Sequence, residues 1–120
     1  MPTSLLALMA SAALLLAVPA AAQADRAPTT REHAAVAKAV GVPKRCLRVR
    51  VSTVNERWAS ARVRNGKASC AEHAADGIAI FKRRTGGAWR FVTAGSSFDC
   101  PVADVPRRIA QDLRIPCEPR

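Results

Sequence analysis

The chain is 120 residues long, and 19 Lys and Arg against nine Asp and Glu give it a formal net charge of +10 and a pI near 11.0. That length allows one small domain and excludes a second core. Fifteen of the cations are arginines, a balance that favours nucleic acid, anionic headgroups or cell-wall polymers as partners. GC-rich coding also enriches Arg and Ala, so the charge alone defines no site.

In chain order, Leu5 to Val18 is an apolar run too short to span a bilayer comfortably, and Pro19 and Ala22-Gln23-Ala24 follow it. Residues 1–24 are therefore predicted to be a secretory signal peptide cleaved after Ala24, with no adjoining cysteine to take a lipid. The mature chain would hold 120 − 24 = 96 residues, be secreted or periplasmic, and carry no transmembrane segment. A chain of that size buries only about two thirds of its unfolded surface and needs covalent help. Four cysteines supply it, and an even count in an exported chain argues for disulfides. Of three pairings, Cys46 with Cys70 and Cys100 with Cys117 are favoured because each closes a local unit. Each loop is worth about 3 kcal/mol.

Residues 25–28 read as a flexible polar leader and 29–120 as a single small α+β domain. Thr29 and Glu32 form a capping-box pattern that predicts a helix from about Thr30 to Val40, ended by Gly41 and Pro43. Its narrow apolar stripe is Val36 and Val40, with Ala37 and His33 beside them. Leu47, Val49 and Val51 alternate with Arg48 and Arg50, and Ala59, Ala61 and Val63 alternate with Trp58, Ser60, Arg62 and Arg64. This is a hairpin of half-buried strands, placed with a three-residue loop at residues 55–57 and Val49 opposite Val63. A loop then carries Cys70.

Gly86-Gly87 divides two further β-prone runs, predicting a second hairpin with a two-residue turn. That register pairs Ile80 with Thr93 and puts Ile78, Ile80, Trp89 and Phe91 on one core face. Asp104 is expected to cap a short helix over Val105 to Leu113, with Val105, Ile109 and Leu113 as its buried stripe. The fold class is therefore α+β: N-terminal helix, four-stranded antiparallel sheet of two hairpins, short C-terminal helix and two disulfides.

The candidate binding face lies opposite the expected core. It gathers Trp58, Arg48, Arg50, Arg62 and Arg64 from the first hairpin with Phe81, Arg83 and Arg90 from the second, an apolar centre rimmed by charge. One well-placed aromatic is few for a single-strand platform, so nucleic acid ranks below a protein or an envelope polymer as partner. His33 and His73 invite comparison with ribonuclease acid/base pairs, but nothing in the spacing brings them together. Cys70 and His73 have metal-ligand spacing without a second pair, so no metal and no cofactor is expected. The carboxylates are scattered, and Gly95-Ser96-Ser97 lacks the second glycine of a nucleophile elbow.

Trp58-Ala59 after a short turn, Gly87-x-Trp89-x-Phe91, Gly95-Ser96, Cys100-Pro101, Val105-Pro106 and the closing Leu113 with Cys117 form a pattern. It resembles small, disulfide-containing exported proteins of GC-rich, actinobacteria-like genomes, a largely uncharacterised group. The resemblance spans most of residues 46–117 and implies a shared fold and secretion, and it carries over no catalytic residue. The order of elements is also similar to cystatin-like and β-lactamase-inhibitor-like modules. The expected function is a secreted, non-enzymatic binding module, inhibitor-like or envelope-associated. The alternatives are a small secreted hydrolase such as a ribonuclease, and sequence-independent polyanion binding.

Overall fold

The reciprocal cap that opens the first helix is present. In the computed structural model, which describes residues 25–118, the Glu32 N–H donates to Thr29 Oγ1 at 3.1 Å and the Thr29 N–H donates to Glu32 Oε1 at 2.8 Å. Helix α1 then runs Thr30–Val40 and stops at Gly41, with Val36 and Ala37 buried. The expected signal peptide lies outside the described residues.

Four strands follow: β1 (Leu47–Val51), β2 (Trp58–Val63), β3 (Ile78–Arg83) and β4 (Trp89–Gly95). They form one antiparallel sheet in the order β1-β2-β3-β4, so both hairpins share it. Helix α2 (Arg107–Asp112) closes the order, and the fold is the predicted α+β arrangement. Cys46 pairs with Cys70 and Cys100 with Cys117, at Cα separations of 5.4 and 5.7 Å. The first bridge ties the turn before β1 to the 3₁₀ turn at Ala68–His73. The second ties the exit from β4 to the C-terminal tail, where Phe98 and Cys117 also form a β-bridge.

Register departs from expectation in both hairpins. In the first, Leu47 lies opposite Val63, Arg48 opposite Arg62 and Val49 opposite Ala61. The Ser52 N–H donates to the Trp58 carbonyl at 2.9 Å, which lengthens the loop to residues 53–57. A shift of two residues leaves every side chain on its expected face, because the strand period is two.

The second change has larger effects. The Gly87 N–H donates to the Arg84 carbonyl at 2.9 Å and the Arg84 N–H to the Ala88 carbonyl at 2.7 Å, so the turn holds three residues, 85–87, and not two. Gly86 and Gly87 still supply positive φ, 104° and 99°. The pairing is therefore Arg83 with Trp89 and Phe81 with Phe91, while Ile80 pairs with Thr93 as expected. The one-residue difference is absorbed by a bulge that leaves Val92 as the extra residue. Ile78 and Ile80 thus face one way and Trp89 and Phe91 the other, which corrects the single core face expected for these four.

Both faces of the sheet are consequently covered. Beneath α1, Leu47, Val49, Val51 and Phe81 pack with Val36 and Trp89. On the opposite face Trp58, Ile78 and Ile80 pack against the C-terminal segment through Phe98, Ile109 and Leu113. The stripe Val105, Ile109 and Leu113 is buried as predicted. Asp104, however, does not cap α2: it sits in the left-handed region at φ 64°, and Pro106 takes the cap position. A proline disfavours helical geometry in the residue before it, so the helix cannot open at Val105.

Gly77, at the entry to β3, has φ 97°, and a Cβ there would lie 2.5 Å from the Gly95 carbonyl oxygen. Gly87 has open space around it. Gly77→Ala should cost more than about 3 kcal/mol in urea unfolding, against about 1 kcal/mol for Gly87→Ala, where only the dihedral is strained. Equal losses would contradict the close packing of β3 on the end of β4.

Candidate anion-binding cleft

Alternation sends Arg48 and Arg50 of β1 and Arg62 of β2 to the sheet face that carries Trp58 and Ile80. The C-terminal segment covers Trp58 and the β3 side of that face and leaves the β1 side open. Arg64, just past β2, and Arg114, just past α2, complete an arginine wall around an open cleft of about 700 Å³. Asp25 and His33 line the same cleft.

Arg48 and Arg62 are directly opposite one another on neighbouring strands. Like charges in that position destabilise a sheet unless a counter-ion or solvent relieves them. The one carboxylate engaged is Asp25, whose Oδ1 accepts from Arg50 Nε and Nη2 at 2.8 Å each. None of the ion pairs among the described residues involves Arg48, Arg62, Arg64 or Arg114. Guanidinium forks match the geometry of phosphate and carboxylate oxygens, so the wall presents donors of the kind that pair with such groups.

Arg114 carries a further signal. It stands at φ 54°, immediately after α2, where its N–H donates to the Gln111 carbonyl at 3.2 Å and the Ile115 N–H donates to the Ala110 carbonyl at 3.0 Å. This is a Schellman closure, and its left-handed residue is ordinarily glycine. An arginine there costs backbone energy and places a guanidinium in the cleft, the kind of local strain that marks functional positions.

The floor is held by the segment expected as a flexible leader. Arg26 pairs with the edge of β1, its N–H donating to the Val51 carbonyl at 2.7 Å and the Val51 N–H returning to the Arg26 carbonyl at 2.9 Å. The Arg26 guanidinium forks onto Glu32 at 2.8 and 2.9 Å, and that hydrogen bond holds the Glu32 carboxyl down at about 2 from its ordinary 4.5, against the effect of burial. Beside this, the buried Asp112 carboxylate accepts from the Ser52 hydroxyl, the Thr53 N–H at 2.7 Å, the Thr53 hydroxyl at 3.0 Å and the Asp25 N–H at 3.0 Å. Burial pushes this acid up, but the Ser52 hydroxyl, the Asp25 N–H and Thr53 outweigh it and keep the group ionised.

The eight residues of the expected binding face do not form one face. Arg48, Arg50, Arg62 and, just beyond the strand, Arg64 are brought together at the cleft. Trp58 is 4% exposed, in the core under the C-terminal segment, and Phe81 is 2% exposed, in the core under α1, so neither forms an apolar centre at the surface. Lys82 lies over the Trp58 ring at 5.3 Å and Arg83 over Trp89 at 6.0 Å. Arg83 and Arg90 line a different, smaller depression beside the β3–β4 turn, with Arg57, Lys82 and Arg84.

Of the two histidines, His33 lines the cleft with Nε2 held 2.9 Å from the Leu47 carbonyl, while His73 sits on the far 3₁₀ turn against Glu72. The two are not brought together. Cys70, being disulfide-bonded, offers no thiolate, and among the described residues no group of three His, Cys, Asp or Glu is arranged to hold a metal. Also among them, no helix is long and apolar enough to cross a membrane.

Comparisons with protein-family models, with curated proteins and with solved structures found no match.

Replacing Arg114 with glycine should raise stability by about 1 kcal/mol, because the left-handed strain is removed, and a loss would show that the guanidinium is a structural support. The Glu32 carboxyl is depressed on folding, so its contribution is complete above pH 4.5 and is lost as the pH falls toward 2. An acid titration of the urea midpoint should show that limb in the native chain and a flatter one in Glu32→Gln.

Proposed function

We propose that the protein is an exported, non-enzymatic binding module that takes an anionic group of its ligand, a phosphate or carboxylate, into the arginine cleft. The observation that carries this reading is the set of four guanidiniums, Arg48, Arg62, Arg64 and Arg114, that share one cleft with no carboxylate partner among the described ion pairs. A buried counter-charge would neutralise such a wall if its role were structural, whereas an external anion relieves the Arg48–Arg62 opposition on binding. Export is supported by the leader pattern and by two disulfides in a chain of this size.

The cleft contains one histidine, tied to a backbone carbonyl, and its other polar side chains are arginines, a serine and an ion-paired aspartate. That equipment suits holding an anion. It lacks the acid/base pair that phosphodiester cleavage uses.

Fluorescence titration of labelled single-stranded RNA and of a labelled polyglutamate, at low and physiological salt, tests the reading. Saturable binding is expected, with a log K against log salt slope of about −2 to −3 for three or four phosphate contacts. Arg62→Ser and Arg114→Gly should each weaken binding about tenfold, a loss of one charge-assisted contact, while Arg90→Ser leaves it unchanged. Shortening of the RNA would overturn the non-enzymatic assignment. Absence of binding at low salt, or equal effects of Arg62→Ser and Arg90→Ser, would remove the cleft from the function.

A further inference from the structure

Asp112 is a buried, ionised carboxylate, 8% exposed, and none of the ion pairs among the described residues involves it. Its acceptors are filled by hydroxyl and backbone donors of residues 52–54 and by one remote nitrogen, that of Asp25 at 3.0 Å. Asp25 is also the residue that cleavage after Ala24 would make the first of the mature chain. We propose that hydrolysis of the Ala24–Asp25 bond creates an α-ammonium group that seats on Asp112, so that the domain acquires a structural ion pair only on maturation.

The chemistry is amide hydrolysis. Water, activated by an export peptidase, adds across the Ala24 carbonyl and the C–N bond breaks. Ala24 leaves as a carboxylate and the Asp25 nitrogen takes up protons to become –NH₃⁺. The cleavage meets the chain before the fold closes, since export delivers it unfolded. After folding, the nitrogen that donates to the Asp112 carboxylate as an uncharged amide in the uncut chain donates from the same position as an ammonium, and the contact becomes an ion pair.

The Asp25 side chain points the same way. Arg50 meanwhile grips the Asp25 carboxylate at 2.8 Å, which holds the new terminus in register with Asp112. The pair would join three parts of the chain, residue 25, the loop at 52–54 and the end of α2, and the ammonium adds a Coulombic attraction that the amide lacks. This inference rests on cleavage after Ala24 and not on what the cleft binds, so the titrations above and the experiment below fail independently.

The full precursor, exported from a bacterial host and purified oxidised, should begin at Asp25 by intact mass and N-terminal sequencing. A different first residue, or retention of the leader, overturns the proposal. A precursor with one serine inserted between Ala24 and Asp25, exported so that the mature chain starts at that serine, keeps the Asp25 N–H but moves the charge away. Its melting temperature should fall by about 4–8 °C, and the fall should nearly vanish when both chains carry Asp112→Asn. An equal fall in the Asp112→Asn background, or no fall in the wild-type background, overturns the ion pair. If Asp112→Asn does not fold, selective acetylation of the α-amine on the wild-type protein replaces it as the readout: a comparable fall supports the pair, and an unchanged melting temperature refutes it.

Discussion

The carboxylate of Asp112 is where the two ends of the domain meet. It is buried at the end of α2, yet its hydrogen bonds run to Ser52, Thr53 and Asp25, residues far away in sequence. A buried charge is tolerated only when its acceptors are filled, and here five donors fill them, the Val54 N–H at 3.3 Å being the weakest. This one constraint sets the path of the β1–β2 loop, because Ser52, still bonded to Trp58 across the hairpin, turns its hydroxyl to α2. It also brings residues 25 and 26 against β1, where Arg26 covers the exposed edge of the sheet. The arginine wall is a consequence: once α2 and the N-terminal segment are pinned at this end, Arg114 and Asp25 flank Arg48, Arg50 and Arg62.

A sheet covered on both faces leaves little room for an open binding surface, and the chain resolves this by unequal cover. Helix α1 lies over one face, against β4 and β1. The C-terminal segment lies over the other and reaches only the Trp58 and Ile78 side. The uncovered strip carries cross-strand arginines where a solvent-facing sheet ordinarily carries mixed charge. Holding like charges opposite one another is a standing cost, and the left-handed Arg114 adds a second. Two local costs at one cleft are more readily explained by a ligand than by the stability of the fold, which is the physical basis for the proposed anionic partner.

The bulge at Val92 shows how a small irregularity sorts large side chains. By taking up one residue it turns Trp89 and Phe91 to the α1 face, where Trp89 joins the core, and leaves Val92 packed with Ile80 against the C-terminal segment. Phe81 and Phe91 meet edge to face at 5.9 Å, with Phe91 remaining 56% exposed at the rim. Neither core would be complete with an unbulged β4.

What the sequence by itself determined was local chemistry. The Thr29–Glu32 cap, the alternation of β1 and β2, the glycines between β3 and β4, the α2 stripe and the pairing of nearby cysteines all depend on neighbours within a few residues or one short loop. Each was legible for that reason. The four cleft arginines of the first hairpin were legible as a set, since they share one parity. What only the tertiary structure decided was whatever depends on distant partners. Trp58 and Phe81 looked like surface aromatics because their strands are amphipathic, and burial came from two covering layers that no local pattern specifies. Arg114 carried no signal, since glycine is the residue expected where it stands, and Asp25 looked like a leader residue until Asp112, 87 positions away, supplied its partner. Periodicity fixes which way a side chain points, and only packing fixes what it points at.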